Sequence, residues 1–163
     1  MAKPLIPAEM LAMVRRGVSA IVASRDAALR PSLMRAMGTR IEDDGGAITV
    51  YVSRTQSRQL LQDVAANGHI AVVFSEPSTH RTMQVKATSA TMRNADASDV
   101  AVLEGYLASM EQELVRINIP LPLTRAMLAH RLDDVVAIRF EPEFAFDQTP
   151  GPQAGTRLSG AAP

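Results

Sequence analysis

The alternation of apolar and polar residues predicts a chain built mainly from short β-strands. Between residues 47 and 53, Ile48, Val50 and Val52 alternate with other residues, which indicates a strand buried on one face. Alternation or enrichment in β-branched residues predicts five further strands, over residues 17–24, 30–41, 70–74, 81–92 and 134–141. We therefore expect about six strands.

Short turn signals separate the first strands. The run Asp43-Asp44-Gly45-Gly46 is the clearest of them, because Asp-Gly and Gly-Gly supply the positive φ angles of tight hairpins. Asp26-Ala27-Ala28 resembles a second turn. Because crossover helices are too few for a doubly wound parallel sheet, the predicted fold class is α+β, with a small barrel of mainly antiparallel strands and flanking helices.

Four segments are predicted to be helices, over residues 7–16, 55–66, 96–117 and 124–131. Asp96 or Ser98 can cap the longest helix, and its apolar stripe suits a face packed on the barrel or on a partner. The stripe consists of Val100, Leu103, Leu107, Met110, Leu114 and Ile117.

The composition is that of a globular protein with one core. Of 163 residues, 47% are hydrophobic and 21% are charged, which predicts a single domain over residues 1–147. Residues 148–163 form a tail rich in Gly and Pro that cannot build a core by itself. Such a tail either lies on the surface of the domain or is disordered.

Charge and cysteine content narrow the function classes. The 17 basic and 17 acidic residues cancel, so we expect no binding of nucleic acid or membrane, and any anion site must be local. Without Cys there are no disulfides or thiolate sites, and redox chemistry requires a bound cofactor. The first residues lack the apolar core of a signal peptide, and no run reaches the roughly 20 apolar residues of a membrane span, which predicts a cytoplasmic protein.

The strand-to-helix turn at residues 55–59 is a candidate phosphate site. The backbone N–H groups at the start of a helix are unpaired and attract anions, and Ser57 and Arg58 add a hydroxyl and a guanidinium there. The same polar residues are also compatible with an ordinary capped helix.

The segment VYVSRTQSRQLLQDVAANGHIAVVF resembles the pyridoxamine 5'-phosphate oxidase-like flavoproteins, in which a strand leads to Ser-Arg-Lys, a helix and an apolar strand. Upstream, residues 30–35 have the spacing of the family's Arg-x-Val-Leu-Leu-Lys strand. Downstream, residues 81–87 lie where the family has Arg-Gln-Val-Arg-Val-Glu-Gly. The resemblance covers residues 17–92 and the last predicted strand, and it implies a split β-barrel.

The resemblance implies an FMN site between the two subunits of a homodimer. Nine residues correspond to flavin-binding positions. The phosphate would be held by Arg30, Arg35, Ser57 and Arg58. The ring or the ribityl chain would lie beside Val52 and Ser53, and the ring edge could bond Thr82 or Gln84. Gln59 replaces a phosphate-binding Lys.

Some positions depart from the family pattern. Gln59 lacks the charge of the family's Lys, and Thr82 stands where Gln is usual, although Gln84 would share its face. Arg30 and Arg35 are five positions apart, so on a regular strand they would point to opposite faces unless Arg30 precedes the strand. The chain has no Trp and no Arg-x-His motif, so it is not expected to be a true pyridoxamine phosphate oxidase.

The expected function is that of an FMN-dependent oxidoreductase that accepts electrons from a nicotinamide nucleotide or a small organic donor. No catalytic acid or base can be assigned, and the three His residues lack the spacing of a metal site. The alternative is a protein that holds FMN or haem without turnover, with His80 or His130 as the haem ligand. A third possibility is a barrel that has lost its flavin and serves as an interaction module.

Overall fold

The computed structural model describes residues 5–158, and within this range the chain forms nine strands and four α-helices. The strands are β1 (Ser19–Arg25), β2 (Pro31–Arg35), β3 (Gly38–Ile41), β4 (Ile48–Ser53), β5 (Ile70–Ser75), β6 (Thr82–Ala87), β7 (Thr91–Asn94), β8 (Val135–Phe140) and β9 (Phe144–Asp147). The helices are α1 (Ala8–Arg16), α2 (Arg58–Asn67), α3 (Val100–Val115) and α4 (Leu121–Met127), with short 3-10 turns at Ala97–Asp99 and Leu132–Asp134.

The strands form two antiparallel sheets. The five-stranded sheet has the order β2-β1-β5-β6-β9, and the four-stranded sheet has the order β3-β4-β8-β7. Every strand pairing is antiparallel. The α+β class and the split antiparallel barrel predicted from the sequence are confirmed.

Two of the predicted strands each divide between the two sheets. In the segment predicted as one strand over residues 30–41, the N–H of Ala36 donates to Ala20 in the five-stranded sheet, whereas the N–H of Met37 donates to Tyr51 in the four-stranded sheet. The predicted strand over residues 81–92 divides in the same way into β6 and β7. The expected number of about six strands was therefore too low, because a bend between sheets does not interrupt the apolar alternation.

The core lies between the inner faces of the two sheets. β1 and β5 alternate strictly between buried and half-buried residues, as expected for strands with one face in the core. Leu60 and Val64 of α2 and Met13 of α1 complete this core. A second apolar cluster packs α3 on the outer side of the four-stranded sheet, where Tyr51 meets Leu103.

The helices after β7 differ partly from expectation. Leu103, Met110 and Leu114 of the predicted stripe are buried, but Ile117 lies beyond the end of α3 and is partly exposed. The last helix spans Leu121–Met127 rather than residues 124–131, because Pro122 is accepted in a first helical turn.

The described part of the tail returns to the five-stranded sheet. The N–H of Gly155 donates to Asp147, and the N–H of Leu158 donates to Ala145 of β9. Arg157 forms a β-bridge with Phe146. The segment up to residue 158 thus lies along the sheet edge, and residues 159–163 lie outside the described range.

Among the described helices, none combines the length and the apolar character needed to cross a bilayer.

Candidate functional site

One face of the five-stranded sheet points away from the barrel core and is called here the outer face. Directly paired residues of antiparallel strands point to the same side, so the pairings place Arg35, Ile21, Val73 and Gln84 in one row across four strands. With strands about 4.8 Å apart, Arg35 and Gln84 are separated by about 14 Å. The row therefore has a cation at one end, an amide at the other and an apolar centre.

The start of α2 retains unsatisfied hydrogen-bonding groups. Ser57 precedes the helix, but its side chain does not cap it, and the first turn carries no acidic residue. Ser57 is 3% exposed, and its buried hydroxyl has no hydrogen-bond partner among the described residues. Arg58, at the first helical position, is exposed. An anion would satisfy the free N–H groups of such a terminus.

In the part of the chain that the structure describes, Arg35 and Arg58 also lack ion-pair partners. Within the described residues, no carboxylate lies within 4.0 Å of either guanidinium. Arg35 is half-buried, so its charge is less screened than that of a fully exposed side chain. These two residues remain candidates for binding a phosphate.

Asp134 holds the loop between β4 and α2. Its carboxylate accepts hydrogen bonds from the Ser53 hydroxyl at 2.5 Å, from the Thr55 hydroxyl at 3.0 Å and from the Thr55 N–H at 3.1 Å. The bond from Ser53 is the main reason why the pKa of Asp134 lies below its usual value. Ser53 therefore supports the loop. Asp134 was not predicted, because nothing in the sequence links it to a loop about eighty residues earlier.

The side chain of Gln59 runs along the surface of α2 towards the next helical turn. Its side-chain amide donates to Asp63 at 2.9 Å, and the other Asp63 oxygen accepts from Ser32 of β2 at 2.5 Å. Asp63 is 4% exposed, so this buried carboxylate ties α2 to β2. As the structure stands, Gln59 bonds a carboxylate instead of facing an anion site.

Arg30 lies apart from the other predicted phosphate ligands. It precedes β2, and its Nε donates to Asp26 at 2.9 Å within the hairpin turn. The Arg30 side chain is 80% exposed. Of the two arginines predicted on this strand, only Arg35 lies on it.

The remaining predicted site residues differ in how readily a ligand could reach their side chains. Val52 is fully buried in the barrel core, so only its backbone could approach a ligand. Thr82 and Gln84 share the outer face, as expected from their spacing. The Thr82 hydroxyl is already bonded to the Ser75 hydroxyl and to the carbonyl of His80, both at 2.9 Å.

The candidate haem ligands occupy different surroundings. His80 has a positive φ of 62° and borders an apolar groove of about 360 Å³ that Met110, Leu114 and Leu123 help to line. His130 places Nδ1 2.9 Å from the carbonyl of Leu128. In residues 5–158, no three His, Asp or Glu side chains lie close enough together to hold a metal ion.

Comparison with known proteins identifies the fold. No family model matches the sequence, and no curated protein matches it. Among solved structures, HupZ from Group A Streptococcus has 19% identity and a TM-score of 0.56, covering 92% of this chain and 99% of its own. A putative pyridoxamine 5'-phosphate oxidase from Lactobacillus delbrueckii has 14% identity and a TM-score of 0.55, covering 90% and 99%. A pyridoxamine 5'-phosphate oxidase-related, FMN-binding protein from Nostoc punctiforme has 10% identity and a TM-score of 0.52, covering 99% and 98%.

These similarities extend over nearly the whole chain. The protein therefore has the fold of the pyridoxamine 5'-phosphate oxidase-like proteins, as the sequence resemblance predicted. At such low identities the likeness concerns the fold alone.

Proposed function

We propose that the protein binds FMN at the outer face of the five-stranded sheet and uses it as an oxidoreductase. The observation that carries this proposal is the unsatisfied start of α2, where the buried Ser57 hydroxyl and the adjacent Arg58 side chain have no partner among residues 5–158. A phosphate would satisfy these donors through charge-assisted hydrogen bonds. Two solved structures of this fold are named as an FMN-binding protein and a putative pyridoxamine 5'-phosphate oxidase, which supports the choice of cofactor.

The residues divide into those that fit FMN and those that do not. Ser57, Arg58 and Arg35 would hold the phosphate, while Gln84, in the same outer-face row as Arg35, would bond the polar edge of the ring. The other predicted ligands have partners within the protein or are buried. Arg30 bonds Asp26, Gln59 bonds Asp63, Ser53 bonds Asp134, Thr82 bonds Ser75, and Val52 lies in the core.

A bound flavin would supply the hydride or electron transfer, with a nicotinamide nucleotide or a small organic molecule as the donor. The protein's part is to bind and orient the flavin, and the apolar centre of the outer face would exclude water from it. Ile21 and Val73, which lie between Arg35 and Gln84, provide that apolar surface.

We further propose that a second copy of the chain covers the outer face. Leu33 projects from β2 with 63% of its surface exposed, and Phe144 of β9 is 37% exposed. Apolar side chains at both edges of one sheet face are typical of a surface that packs against another subunit. The flavin would then lie between the two copies.

FMN binding can be tested by flavin fluorescence titration with FMN and with riboflavin, which lacks the phosphate. We expect FMN to bind at least about 10-fold more tightly, because one charge-assisted hydrogen bond contributes about 1.5–3 kcal/mol. Arg58→Ala and Arg35→Ala should each weaken FMN binding about 10-fold or more and leave riboflavin binding nearly unchanged. Arg15→Ala is the control, because Arg15 lies on α1 and pairs with Asp43 of the turn between β3 and β4. Equal affinity for FMN in the Arg58→Ala protein would refute the phosphate site.

A second candidate function, haem binding without turnover, is favoured by the position of His80 beside the apolar groove. Addition of haem should then give a Soret band that is lost in His80→Ala and kept in His130→Ala. If the spectrum of added haem is unchanged by the wild-type protein, this candidate is rejected.

A further inference from the structure

Two paired alanines create a depression on the outer face. Ala23 of β1 lies directly opposite Ala71 of β5. Larger residues occupy the rows on either side, with Ile21 and Val73 in one row and Arg25 and His69 at the end of the strands. Because the two methyl groups are shorter than these neighbours, they form the floor of a cavity of about 300 Å³.

The wall of the depression includes Lys86 and Phe144, and each of them forms a cation–π contact with a residue beside the cavity. Lys86 of β6 is paired with Phe144 of β9, and both line the cavity. Lys86 Nζ lies 5.3 Å from the centre of the Phe146 ring, and the Arg157 guanidinium lies 4.8 Å from the centre of the Phe144 ring. Cation–π contacts of this kind hold both cations at the sheet surface.

Three cations lie in or next to the depression. Within the described residues, no carboxylate lies within 4.0 Å of Arg25, Lys86 or Arg157. Two acidic residues lie at the adjoining turns, and Glu143 places a negative charge at the rim of the depression beside Thr88. Glu143 accepts from the N–H and the hydroxyl of Thr88, and Asp26 pairs with Arg30.

We infer that the depression binds a small planar aromatic carboxylate and that this molecule is the substrate class of the proposed flavin site. A ring would lie on the alanine floor against Phe144, and its carboxylate would bond Lys86 and Arg25. The cavity has the volume of a small-molecule site for one or two rings. This inference rests on the proposed function, since Lys86 follows Gln84 on the same face at about 6.7 Å along the strand.

The inference can be tested by calorimetric titration of the full-length protein, with and without FMN. The probes are benzoate, salicylate and 2-naphthoate, each compared with its uncharged amide. We expect at least one carboxylate to bind and to bind at least 10-fold more tightly than its amide. Failure of all three carboxylates to bind, or equal binding of acid and amide, would overturn the inference.

Variants locate the binding in the depression. Ala71→Leu fills the floor without touching the core, and Lys86→Met removes the charge but keeps an apolar side chain. We expect the first variant to abolish carboxylate binding and the second to weaken it at least 10-fold. Arg40→Met on the four-stranded sheet is the control and should bind like the wild-type protein, because Arg40 lies outside this cavity. If Ala71→Leu binds as the wild-type protein does, the site is elsewhere and the inference fails.

Failure of the proposed function and failure of this inference give different results. If FMN does not bind but the carboxylates bind with the expected dependence on Ala71 and Lys86, the depression is a ligand site, whereas the flavin proposal and the substrate assignment that rests on it fail. If FMN binds and no carboxylate does, only the inference fails. If FMN displaces the carboxylate, and if the Ala71→Leu protein binds FMN less tightly than the wild-type protein does, the depression is part of the flavin site and the substrate assignment is wrong.

Discussion

Asp99 joins the four-stranded sheet to the start of α3. Its carboxylate accepts two hydrogen bonds of 2.7 Å from Arg93, one of 2.8 Å from the Tyr51 hydroxyl and one of 2.9 Å from the N–H of Asp96. The paired guanidinium, more than any other contact, holds the pKa of Asp99 well below its usual range. Burial together with Asp99 raises the pKa of Tyr51. These hydrogen bonds therefore stabilise the ionised form of Asp99, and through it they hold α3 against one side of the barrel.

Asp99→Asn should lower the free energy of unfolding at neutral pH by about 2 kcal/mol, because a buried charge-assisted bond is lost. The folded-state pKa of Asp99 is depressed, so its contribution is complete above the unfolded pKa of about 3.9 and declines as pH falls below it. Urea unfolding between pH 7 and pH 3 should show the difference between wild type and variant shrinking with acidification.

Asp133→Asn is the matched control for this measurement. Asp133 forms an exposed pair with Arg131, and such pairs contribute about 0–1 kcal/mol. A difference between wild type and Asp99→Asn that stays constant down to pH 3 would contradict the role assigned to the ionised carboxylate.

The sequence could predict candidate residues of the site but not their partners. The outer-face position of Gln84 follows from strand periodicity and needs no knowledge of the fold. The bond from Ser53 to Asp134 could not be inferred, because it joins distant parts of the chain. The bond from Gln59 to Asp63 could not be inferred either, because the Gln59 side chain could equally have pointed away from the helix. Arg30 illustrates the same problem, since Pro31 indicated that it precedes the strand but nothing showed that Asp26 would bind it.

At the scale of elements, the N-terminus of α2 has no side-chain cap, whereas its C-terminus is closely packed. Its C-cap, Gly68, has a φ of 70°, and its carbonyl accepts from the N–H of Ala90 at the bend between β6 and β7. A Cβ atom at residue 68 would lie 2.6 Å from the carbonyl oxygen of Thr88. The end of α2 thus fixes the bend at which one strand passes between the sheets.

Gly68→Ala should lower the free energy of unfolding by about 2 kcal/mol or more, since it combines a left-handed backbone with a contact against rigid main chain. Gly105→Ala is the comparison. Nothing lies within 4 Å of the added methyl group in α3, so the substitution should stabilise the protein by about 0.5–1 kcal/mol. Chemical denaturation of both variants tests the pair, and equal stability would contradict the packing described for Gly68.

Elements were predictable from the sequence where local chemistry decides them. The Asp43–Gly46 turn, α1, α2 and the strand at residues 135–140 follow from turn residues, caps and periodicity. The bends that separate β2 from β3 and β6 from β7 are set by which sheet accepts successive N–H groups, and this is a tertiary property. The short strand β9 was missed because its residues pair with β6, about sixty positions earlier.

At the scale of the whole molecule, the two sheets differ in what covers them. α3 packs on the outer side of the four-stranded sheet, whereas the outer face of the five-stranded sheet keeps half-buried apolar residues in β1 and β5. Folding alone leaves this second face incompletely buried. A second copy of the chain would complete it.

Leu33→Glu should convert the proposed dimer to a monomer, because it introduces a charge into the expected interface at its β2 edge. Val115→Glu is the control, since Val115 is also exposed, at 50%, but lies on α3. Light scattering after size-exclusion chromatography should give half the wild-type mass for the first variant only. A wild-type protein that is already monomeric would reject the dimer proposal.

The central claim is that FMN is held between two copies of the chain, with one flavin for each. It is tested most directly by sedimentation velocity recorded in parallel at protein and flavin wavelengths, on protein loaded with FMN and freed of excess. We predict one boundary carrying both signals, at twice the chain mass of 17.5 kDa and with one FMN per chain. A colourless protein boundary, with the flavin left unsedimented, would contradict the account.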